Sequence, residues 1–306
     1  MFARLAKKTV PDAPDMPDGT GPIGLLAGWG EYPLAVARAL RNQGRPVVGV
    51  GIIDHADPTL ADLCDHFGWI GIGGIGRAIR YFRRWGVTQA AMAGKVNKVL
   101  MYQPGWWFKH RPDWQAIRTF YPQLLTGSGD RKDNTLLTKV VGAFASHGIR
   151  FEPGTNFAPE LLVGAGQIAG RRLTGRQQTD VQFGWQMAKA LGGLDVGQCV
   201  CIKNQAVITV EAIEGTDHCI RRAGELCQAG GFTVVKVAKP SQDMRFDVPT
   251  IGVGTLEAVA ASGGRVLAVE AERTILLNRS EFCRAATRLK LSVVAIEAAA
   301  IAGAAA

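Results

Sequence analysis

The chain has 306 residues, 47% of them hydrophobic, and its 35 lysines and arginines exceed its 26 acidic residues by nine. This length suits one large domain or two ordinary domains. The positive charge favours anionic partners such as nucleic acid, acidic lipid or a phosphorylated ligand. The six cysteines are too scattered for a disulfide framework, and no Cys/His group has zinc spacing. No window reaches the roughly 18 apolar residues of a membrane span, so we expect a reduced, soluble, cytoplasmic protein.

The ends of the chain differ in composition from its body. Residues 1–21 are rich in proline and aspartate, and we expect a disordered leader there. Residues 298–306 form an alanine-rich, low-complexity tail. Between them we predict two α/β domains, at residues 22–128 and 129–297.

The first half of the body alternates apolar runs with helical patterns. Strands are predicted at 23–27, 46–53, 69–72 and 90–93, and helices at 34–42 and 76–85. Strand–helix–strand units of this kind favour a parallel sheet. Residues 104–112 follow neither period, and we expect an exposed loop there.

The second half alternates in the same way. Helical spacing runs from 134 to 147, with Asp133 or Asn134 as the natural N-cap. Further helices are predicted at 183–191, 218–229, 254–261 and 280–289. Strands are predicted at 199–202, 206–210, 233–237, 266–269, 274–277 and 292–296.

A glycine turn, Gly28-x-Gly30, follows the first strand. It resembles part of a dinucleotide fingerprint, with Asp54 placed where a ribose-binding acid would lie, but Pro33 replaces the third glycine. A glycine turn at a helix N-terminus also offers amides to any phosphate. Anion binding, nicotinamide binding and a purely structural turn therefore all stay open.

The segment from His66 to Pro112 has no acidic residue, and its lysines and arginines are interleaved with tryptophans. Such a mixture suits an anionic bilayer surface, or the bases of a single-stranded nucleic acid. The alternative is a basic helix face beside a buried aromatic cluster. Of the two partners, we prefer the membrane surface and expect no nucleic acid.

Two acidic blocks lie between residues 208 and 249, each where an apolar run ends. Their five carboxylates are accompanied by Lys236, Lys239 and Arg245. Side chains at strand ends project into the crevices where α/β proteins build sites. Carboxylates and cations together suit a divalent cation and a phosphate. The alternative is that these residues cap helices and pair on the surface.

Two more acids, Asp130 and Asp133, precede the helix predicted from residue 134. Asp133 could cap that helix, and Asp130 could ligate a metal. On spacing alone we favour capping.

Six segments together resemble UDP-2,3-diacylglucosamine pyrophosphatases of the LpxI type, hydrolases of the lipid A pathway. They are LAGWGEYP at 26–33, AGKV at 93–96, GDRKDNTLL at 129–137, VEAIEGTD at 210–217, KPSQDMRFDVP at 239–249 and LAVE at 267–270. The resemblance extends over residues 22–296. The blocks at 210–217 and 239–249 are specific to this family, whereas the glycine turn is not.

The resemblance implies a fold and a reaction. It implies a Rossmann-like N-terminal domain and a second α/β domain, with the acylated sugar nucleotide held between them. The implied reaction is Mg²⁺-dependent hydrolysis of the substrate to UMP and 2,3-diacylglucosamine 1-phosphate. A substrate with two acyl chains also implies peripheral contact with an anionic membrane surface, such as the inner membrane. A homo-oligomer stays open.

The resemblance also implies roles for individual residues. Catalysis and metal binding fall to Asp217, Asp243 and Asp247, and either Asp130 or Asp133 would complete the metal ligands. Substrate-binding residues would be Gly28, Gly30, Lys95, Thr216, Lys239, Gln242 and Arg245. One departure matters: family members have adjacent acids before the Leu-Leu pair, whereas Arg131 and Lys132 separate them here.

Three other functions stay open on the sequence. A family member with a changed specificity would act on another nucleotide-linked lipid. A nicotinamide-dependent oxidoreductase would use the glycine turn. A non-catalytic protein would bind lipid or nucleic acid and turn nothing over.

Overall fold

The computed structural model describes residues 21–96, 106–126 and 133–298, with the backbone alone at 106–107, 121–126 and 133–134. Its contacts divide the chain into two compact units, Met1–Ala158 and Pro159–Ala306. The predicted leader and tail lie outside the described residues, apart from Gly21 and Ala298.

The first unit is built on a five-stranded parallel sheet. In chain order its strands are β1 (Ile23–Ala27), β2 (Val47–Ile52), β3 (His66–Ile70), β4 (Gln89–Ala93) and β5 (Arg150–Glu152). They lie side by side in the order β3-β2-β1-β4-β5, and every pairing is parallel. This is a Rossmann-like order, with the topological switch point between β1 and β4.

In the described part of this unit the helices are α1 (Tyr32–Asn42), α2 (Ile75–Arg84), α3 (Trp106–Lys109), α4 (Trp114–Thr126), α5 (Asp133–Ala145) and α6 (Gly154–Phe157). A 3₁₀ turn occupies Pro58–Leu63, where Asp57 accepts the Thr59 N–H at 2.8 Å. The apolar stripe of α2 is buried, while its arginines are exposed, as the helical period predicts.

The division between the units differs from the predicted boundary at 128/129. Strand β5 pairs with β4, and the Phe144 ring of α5 lies 6.0 Å from Phe82 and 4.9 Å from Phe151 between centroids. Helix α5 and strand β5 therefore complete the core of the first unit, and the division falls after Ala158. A three-residue strand is too short to show a period of two.

The second unit contains a six-stranded mixed sheet. Its strands are β6 (Gly166–Ala169), β7 (Cys199–Lys203), β8 (Ala206–Val210), β9 (Thr233–Lys236), β11 (Val266–Glu270) and β13 (Ser292–Ile296), in the order β6-β13-β11-β9-β7-β8. Strands β9, β11 and β13 are parallel, and the other pairings are antiparallel. A separate two-stranded ribbon joins β10 (Thr250–Ile251) to β12 (Ile275–Leu276).

Helices cover both faces of the larger sheet. Helix α7 (Gly175–Gly193) packs Val181, Trp185 and Ala188 on one face. Helices α8 (Thr216–Leu226), α9 (Val253–Ala261) and α10 (Arg279–Arg288) pack on the other. The predicted α/β class is confirmed for both units. Among the helices of the described ranges, none is both long and apolar enough to cross a bilayer.

Some elements differ from the sequence prediction. The loop expected at 104–112 contains helix α3, and His110 is buried. Helix α4 and strands β5, β6 and β10 were not predicted. Cys199 and Cys201 are buried on one face of β7, and all six cysteines are free.

Candidate functional site

Three strands of the second sheet end in charged residues at the same edge. Strands β8 and β9 both run antiparallel to β7, and β11 runs parallel to β9, so their carboxyl ends meet. Glu211 follows β8, Lys236 ends β9 and Glu270 ends β11, and all three are buried. We call this set of strand ends, with the segment 237–249 that follows β9, the carboxyl edge.

Glu211 links β8 to the start of α8. Its Oε1 accepts a hydrogen bond from the Thr216 hydroxyl at 2.9 Å, and within the described residues its buried Oε2 has no hydrogen-bond partner. Burial raises the pKa of the Glu211 carboxyl, while the Lys236 ammonium and the Thr216 hydroxyl act in the opposite direction. Glu211 therefore holds a proton at a higher pH than an exposed glutamate does.

Lys236 and Glu270 bring further charge to this edge. The Lys236 ammonium donates to the Thr250 carbonyl at 3.4 Å. The Glu270 carboxylate accepts the Lys189 ammonium at 2.6 and 2.7 Å and the Ala238 N–H at 2.7 Å. A buried charge needs this degree of pairing. The sequence prediction missed Lys189, which lies 81 residues from its partner.

The segment after β9 is organised by Asp243 and Arg245. The Arg245 guanidinium donates to both carboxylate oxygens, with Nη2 2.6 Å from Oδ2 and Nε 2.9 Å from Oδ1. These bonds hold the pKa of Asp243 below its ordinary value. The Asp243 carbonyl accepts the Asp247 N–H at 3.0 Å. Arg245, predicted to hold phosphate, is thus paired with the predicted metal ligand Asp243.

Gln242 and Lys239 form a tight turn in the same segment. The Gln242 Oε1 accepts the Lys239 N–H at 2.8 Å, and the Gln242 N–H donates to the Lys239 carbonyl at 3.1 Å. The buried Gln242 Nε2 has no acceptor among the described residues. The Lys239 ammonium lies 2.7 Å from Asp195 Oδ1. Gln242 therefore fixes the backbone from which Lys239 extends.

The predicted metal ligands do not form a cluster within the described chain. Asp217 is exposed in the first turn of α8, and Asp247 is half-buried. No group of three or more His, Cys, Asp or Glu side chains in the described ranges could hold a metal ion. Asp130 lies outside the described residues, and Asp133 begins α5 with its side chain undescribed. The described donors alone do not fit a metal that needs three protein carboxylates.

The glycine turn of the first unit is bound to the loop after β4. The Gly28 N–H donates to the Ala93 carbonyl at 2.8 Å, and Trp29 and Lys95 exchange main-chain hydrogen bonds of 2.8 and 2.9 Å. A Cβ at Gly28 would lie 2.6 Å from the Lys95 carbonyl oxygen. The Gly28 amide is therefore bonded within the protein, which favours the structural interpretation of this turn. Gly28 is needed for close approach of the two loops, and the Lys95 side chain is exposed.

The start of α1 offers little to a phosphate. Glu31 occupies the N-cap, and Pro33 has no N–H to donate. Gly30 has a φ of 109°, a conformation that favours glycine. The carboxylate of Asp54 is 3.0 Å from the Lys109 ammonium, and its hydrogen bond from Lys109 lowers the Asp54 pKa. The expected ribose-binding acid is thus already paired with protein.

Comparison with known proteins matches both units to one family. The sequence model of the LpxI N-terminal domain matches residues 22–161, and that of the LpxI C-terminal domain matches residues 164–294. The two ranges meet close to the division at Ala158 and Pro159.

The UDP-2,3-diacylglucosamine pyrophosphatase LpxI of Caulobacter vibrioides is 28% identical over 293 residues, which cover 90% of this chain and 97% of that protein. Among solved structures, a nucleoside-diphosphate-sugar epimerase from Pseudomonas aeruginosa matches at 12% identity. The match covers 93% of this chain and 83% of that chain, with a TM-score of 0.32. With an LpxI N-terminal domain followed by an LpxI C-terminal domain, the chain belongs to the LpxI family.

Proposed function

We propose that this protein, a hydrolase of the LpxI family, cleaves the pyrophosphate bond of UDP-2,3-diacylglucosamine. Water adds to one phosphorus, and the bond from that phosphorus to the bridging oxygen breaks. The products are UMP and 2,3-diacylglucosamine 1-phosphate. One observation carries the proposal: both LpxI domains occur in order, and a relative named for this activity aligns over 97% of its length.

The cations of the carboxyl edge would bind the pyrophosphate. Lys236, Lys239 and Arg245 each lie on β9 or in the segment after it, and each is bonded to an oxygen of the protein. In this proposal Lys239 and Arg245 exchange their carboxylate partners for phosphate oxygens. An arginine binds phosphate in the same bidentate way that Arg245 binds Asp243. These contacts would spread the charge that develops on the leaving phosphate.

A carboxylate of the same edge would accept the proton of the attacking water. Asp217, Asp243 and Asp247 are the residues that the family resemblance favours. We add Glu211, because its Oε1 is oriented by Thr216 and burial raises its pKa above the ordinary value of a glutamate. A general base works best when its pKa lies near the operating pH. The lowered pKa of Asp243 suits binding a cation better than accepting a proton.

Magnesium dependence is part of the proposal on the strength of the family resemblance. Bound Mg²⁺ would supply charge stabilisation for the pyrophosphate oxygens. The described carboxylates do not by themselves provide a three-ligand site.

The first test is an assay of the purified full-length protein with UDP-2,3-diacylglucosamine, in Mg²⁺ and in EDTA, with UMP as the measured product. We expect Asp243→Asn and Glu211→Gln to lower kcat by about 100-fold or more. Glu225→Gln, an exposed glutamate of α8, is the matched control and should keep the rate. UMP release that persists in EDTA would contradict the proposed Mg²⁺ dependence and would leave the proposed substrate and reaction unchanged.

No UMP from folded wild type would overturn the substrate assignment. Other nucleotide-linked lipids would then be assayed in the same way, since Arg131 and Lys132 interrupt the family's acid pair. The nicotinamide alternative is not proposed, because the Gly28 amide and the Asp54 carboxylate are both bonded within the protein. We further propose that the enzyme works in the cytoplasm, where nucleotide-linked precursors are used.

A further inference from the structure

One face of the first unit carries exposed apolar side chains among exposed arginines. Phe108 of α3 is 72% exposed, and Trp114 and Ile117 of α4 are 77% and 37% exposed. The accompanying arginines are Arg77, Arg80, Arg84, Arg111 and Arg118, all exposed. We call this set the α3–α4 face. Large apolar side chains this exposed are typical of an interaction surface when they lie on one face.

Local contacts connect the members of the α3–α4 face. The Asp113 carboxylate accepts the Arg77 N–H at 2.9 Å and the Ala116 N–H at 3.0 Å, so it caps α2 and α4 together. The Arg111 guanidinium lies 5.2 Å from the Phe108 ring centroid. In α4, residues 114, 117 and 118 follow helical spacing and share one side. Asp113 thus joins the first turn of α2, which carries Arg77, to the first turn of α4, which carries Trp114.

A cleft of about 530 Å³ lies beside this face, between α4 and α5. Its polar lining is Gln115, Arg118, Thr119, Lys139, Ser146 and His147. It contains two cations and several hydrogen-bonding groups, and its described lining includes no carboxylate. An anionic group such as a phosphate fits this chemistry.

Charge limits the choice of partner. Asp113 is the one acidic residue in the sequence between 66 and 126, and its carboxylate is used in capping two helices. A second copy of the chain docked through the same face would place arginine against arginine. An aliphatic side chain such as Ile117 does not stack on nucleic-acid bases, but it enters the apolar boundary of a bilayer.

We propose that the α3–α4 face docks on an anionic lipid bilayer. Trp114, Phe108 and Ile117 lie at the headgroup level, and Arg118 and Lys139 take a lipid phosphate into the cleft. Tryptophan prefers this level of a bilayer, and lysine and arginine beside it are attracted to anionic headgroups. The inference deepens the proposed function, since a substrate with two acyl chains resides in a bilayer.

The test is sedimentation of the full-length protein with vesicles of phosphatidylcholine containing 30% phosphatidylglycerol. The variants are Trp114→Glu and the double variant Arg118→Glu/Lys139→Glu. Leu226→Glu and Arg284→Glu are matched controls, because Leu226 is 67% exposed and Arg284 is exposed in the second unit. Circular dichroism and Tm establish that each variant is folded.

We expect wild type to bind these vesicles at low salt and to be released by 0.5 M NaCl. Each cation neutralised near an anionic surface weakens binding about fivefold. The double variant and Trp114→Glu should therefore lose at least about tenfold in affinity, while both controls keep it. Wild type remaining in the supernatant, or folded variants binding as well as wild type, would overturn the proposal. So would tighter binding to single-stranded RNA that depends on Trp114.

A second readout separates this inference from the proposed reaction. With substrate in detergent micelles, Trp114→Glu should release UMP at the wild-type rate. With the same substrate in vesicles, its rate should fall with its vesicle binding. If the protein binds vesicles but releases no UMP under any condition, the proposed reaction is contradicted and the proposed docking surface is supported. If Trp114→Glu releases UMP from vesicles at the wild-type rate, only the proposed docking surface is contradicted.

Discussion

The ammonium of Lys189 lies 2.6 and 2.7 Å from the two carboxylate oxygens of Glu270. It also donates to the Ala238 carbonyl at 2.9 Å, and the Ala238 N–H returns a bond to Glu270. Helix α7, the end of β11 and the segment after β9 are therefore held together by one ion pair at the carboxyl edge. The Trp185 ring adds a further contact, with its centroid 5.3 Å from the ammonium.

Removing one partner of this ion pair should lower the free energy of unfolding more than replacing both partners with apolar residues. Glu270→Gln leaves Lys189 without its charged partner, and we expect the free energy of unfolding to fall by about 3 kcal/mol. The double variant Lys189→Met/Glu270→Met should lose less, because no buried charge is left unpaired. Urea denaturation followed by circular dichroism measures both. Glu272→Gln, an exposed neighbour, should stay within about 0.5 kcal/mol of wild type.

Glu211 should make stability depend on pH. Its folded pKa is raised by burial, so the folded protein binds its proton more tightly than the unfolded chain does. Its contribution to stability is therefore present below the unfolded value of about 4.3 and is lost as pH rises through the folded pKa. We expect the free energy of unfolding of Glu211→Gln, relative to that of wild type, to be higher at pH 7.5 than at pH 4. Equal differences in unfolding free energy at the two pH values would contradict a raised pKa.

Two glycines of the first unit should respond to alanine in opposite directions. Gly94 has a φ of 89°, and a Cβ there would lie 2.8 Å from the Gly28 carbonyl carbon. Gly94→Ala should thus lower the free energy of unfolding by at least about 2 kcal/mol. Gly142, in the last turn of α5, has open space around its Cβ position. Gly142→Ala should raise stability by about 0.5 to 1 kcal/mol. Changes in unfolding free energy that have the same sign in Gly94→Ala and Gly142→Ala would contradict this prediction.

Asp113 caps both α2 and α4, so substitutions at this residue should lower stability in a defined order. Asp113→Ala removes the acceptors of both Arg77 and Ala116 N–H groups, and we expect a loss of about 1 to 2 kcal/mol. Asp113→Asn keeps one oxygen acceptor and should lie between wild type and the alanine variant. Thermal unfolding of the three proteins measures the order. Asp62→Ala, an exposed aspartate in the 3₁₀ turn, is the control.

The sequence predicted the elements whose periods are long enough to read. Strand β1 was predicted at its observed bounds, because it is a short apolar run that is buried almost throughout. Helices α2 and α9 were predicted to within one residue at each end, because their buried positions follow the helical period. Strand β5 was missed, since three residues show no alternation. Helix α4 was also missed, and its Trp114 and Ile117 are exposed.

The candidate site was predictable only where its contacts are local. Asp243 and Arg245 are two residues apart, and both were singled out from one segment. The pairing of Lys189 with Glu270 spans 81 residues and depends on how α7 crosses the sheet. Likewise, the sequence left phosphate binding open at the Gly28 turn. It does not show that the Gly28 N–H donates to the Ala93 carbonyl of β4, a strand that is distant along the chain. The assignment of metal ligands stays a prediction.

Strand β5 also decides where the first unit can be cut. A fragment ending at residue 128 would lack β5, and the main chain of β4 at Gln89–Ala91 would face solvent along its outer side. An uncovered edge of this kind is a template for pairing with another chain. Phe82 would also lose Phe144, its aromatic neighbour from α5. Such a fragment should self-associate, whereas one that ends at Ala158 keeps its outermost strand.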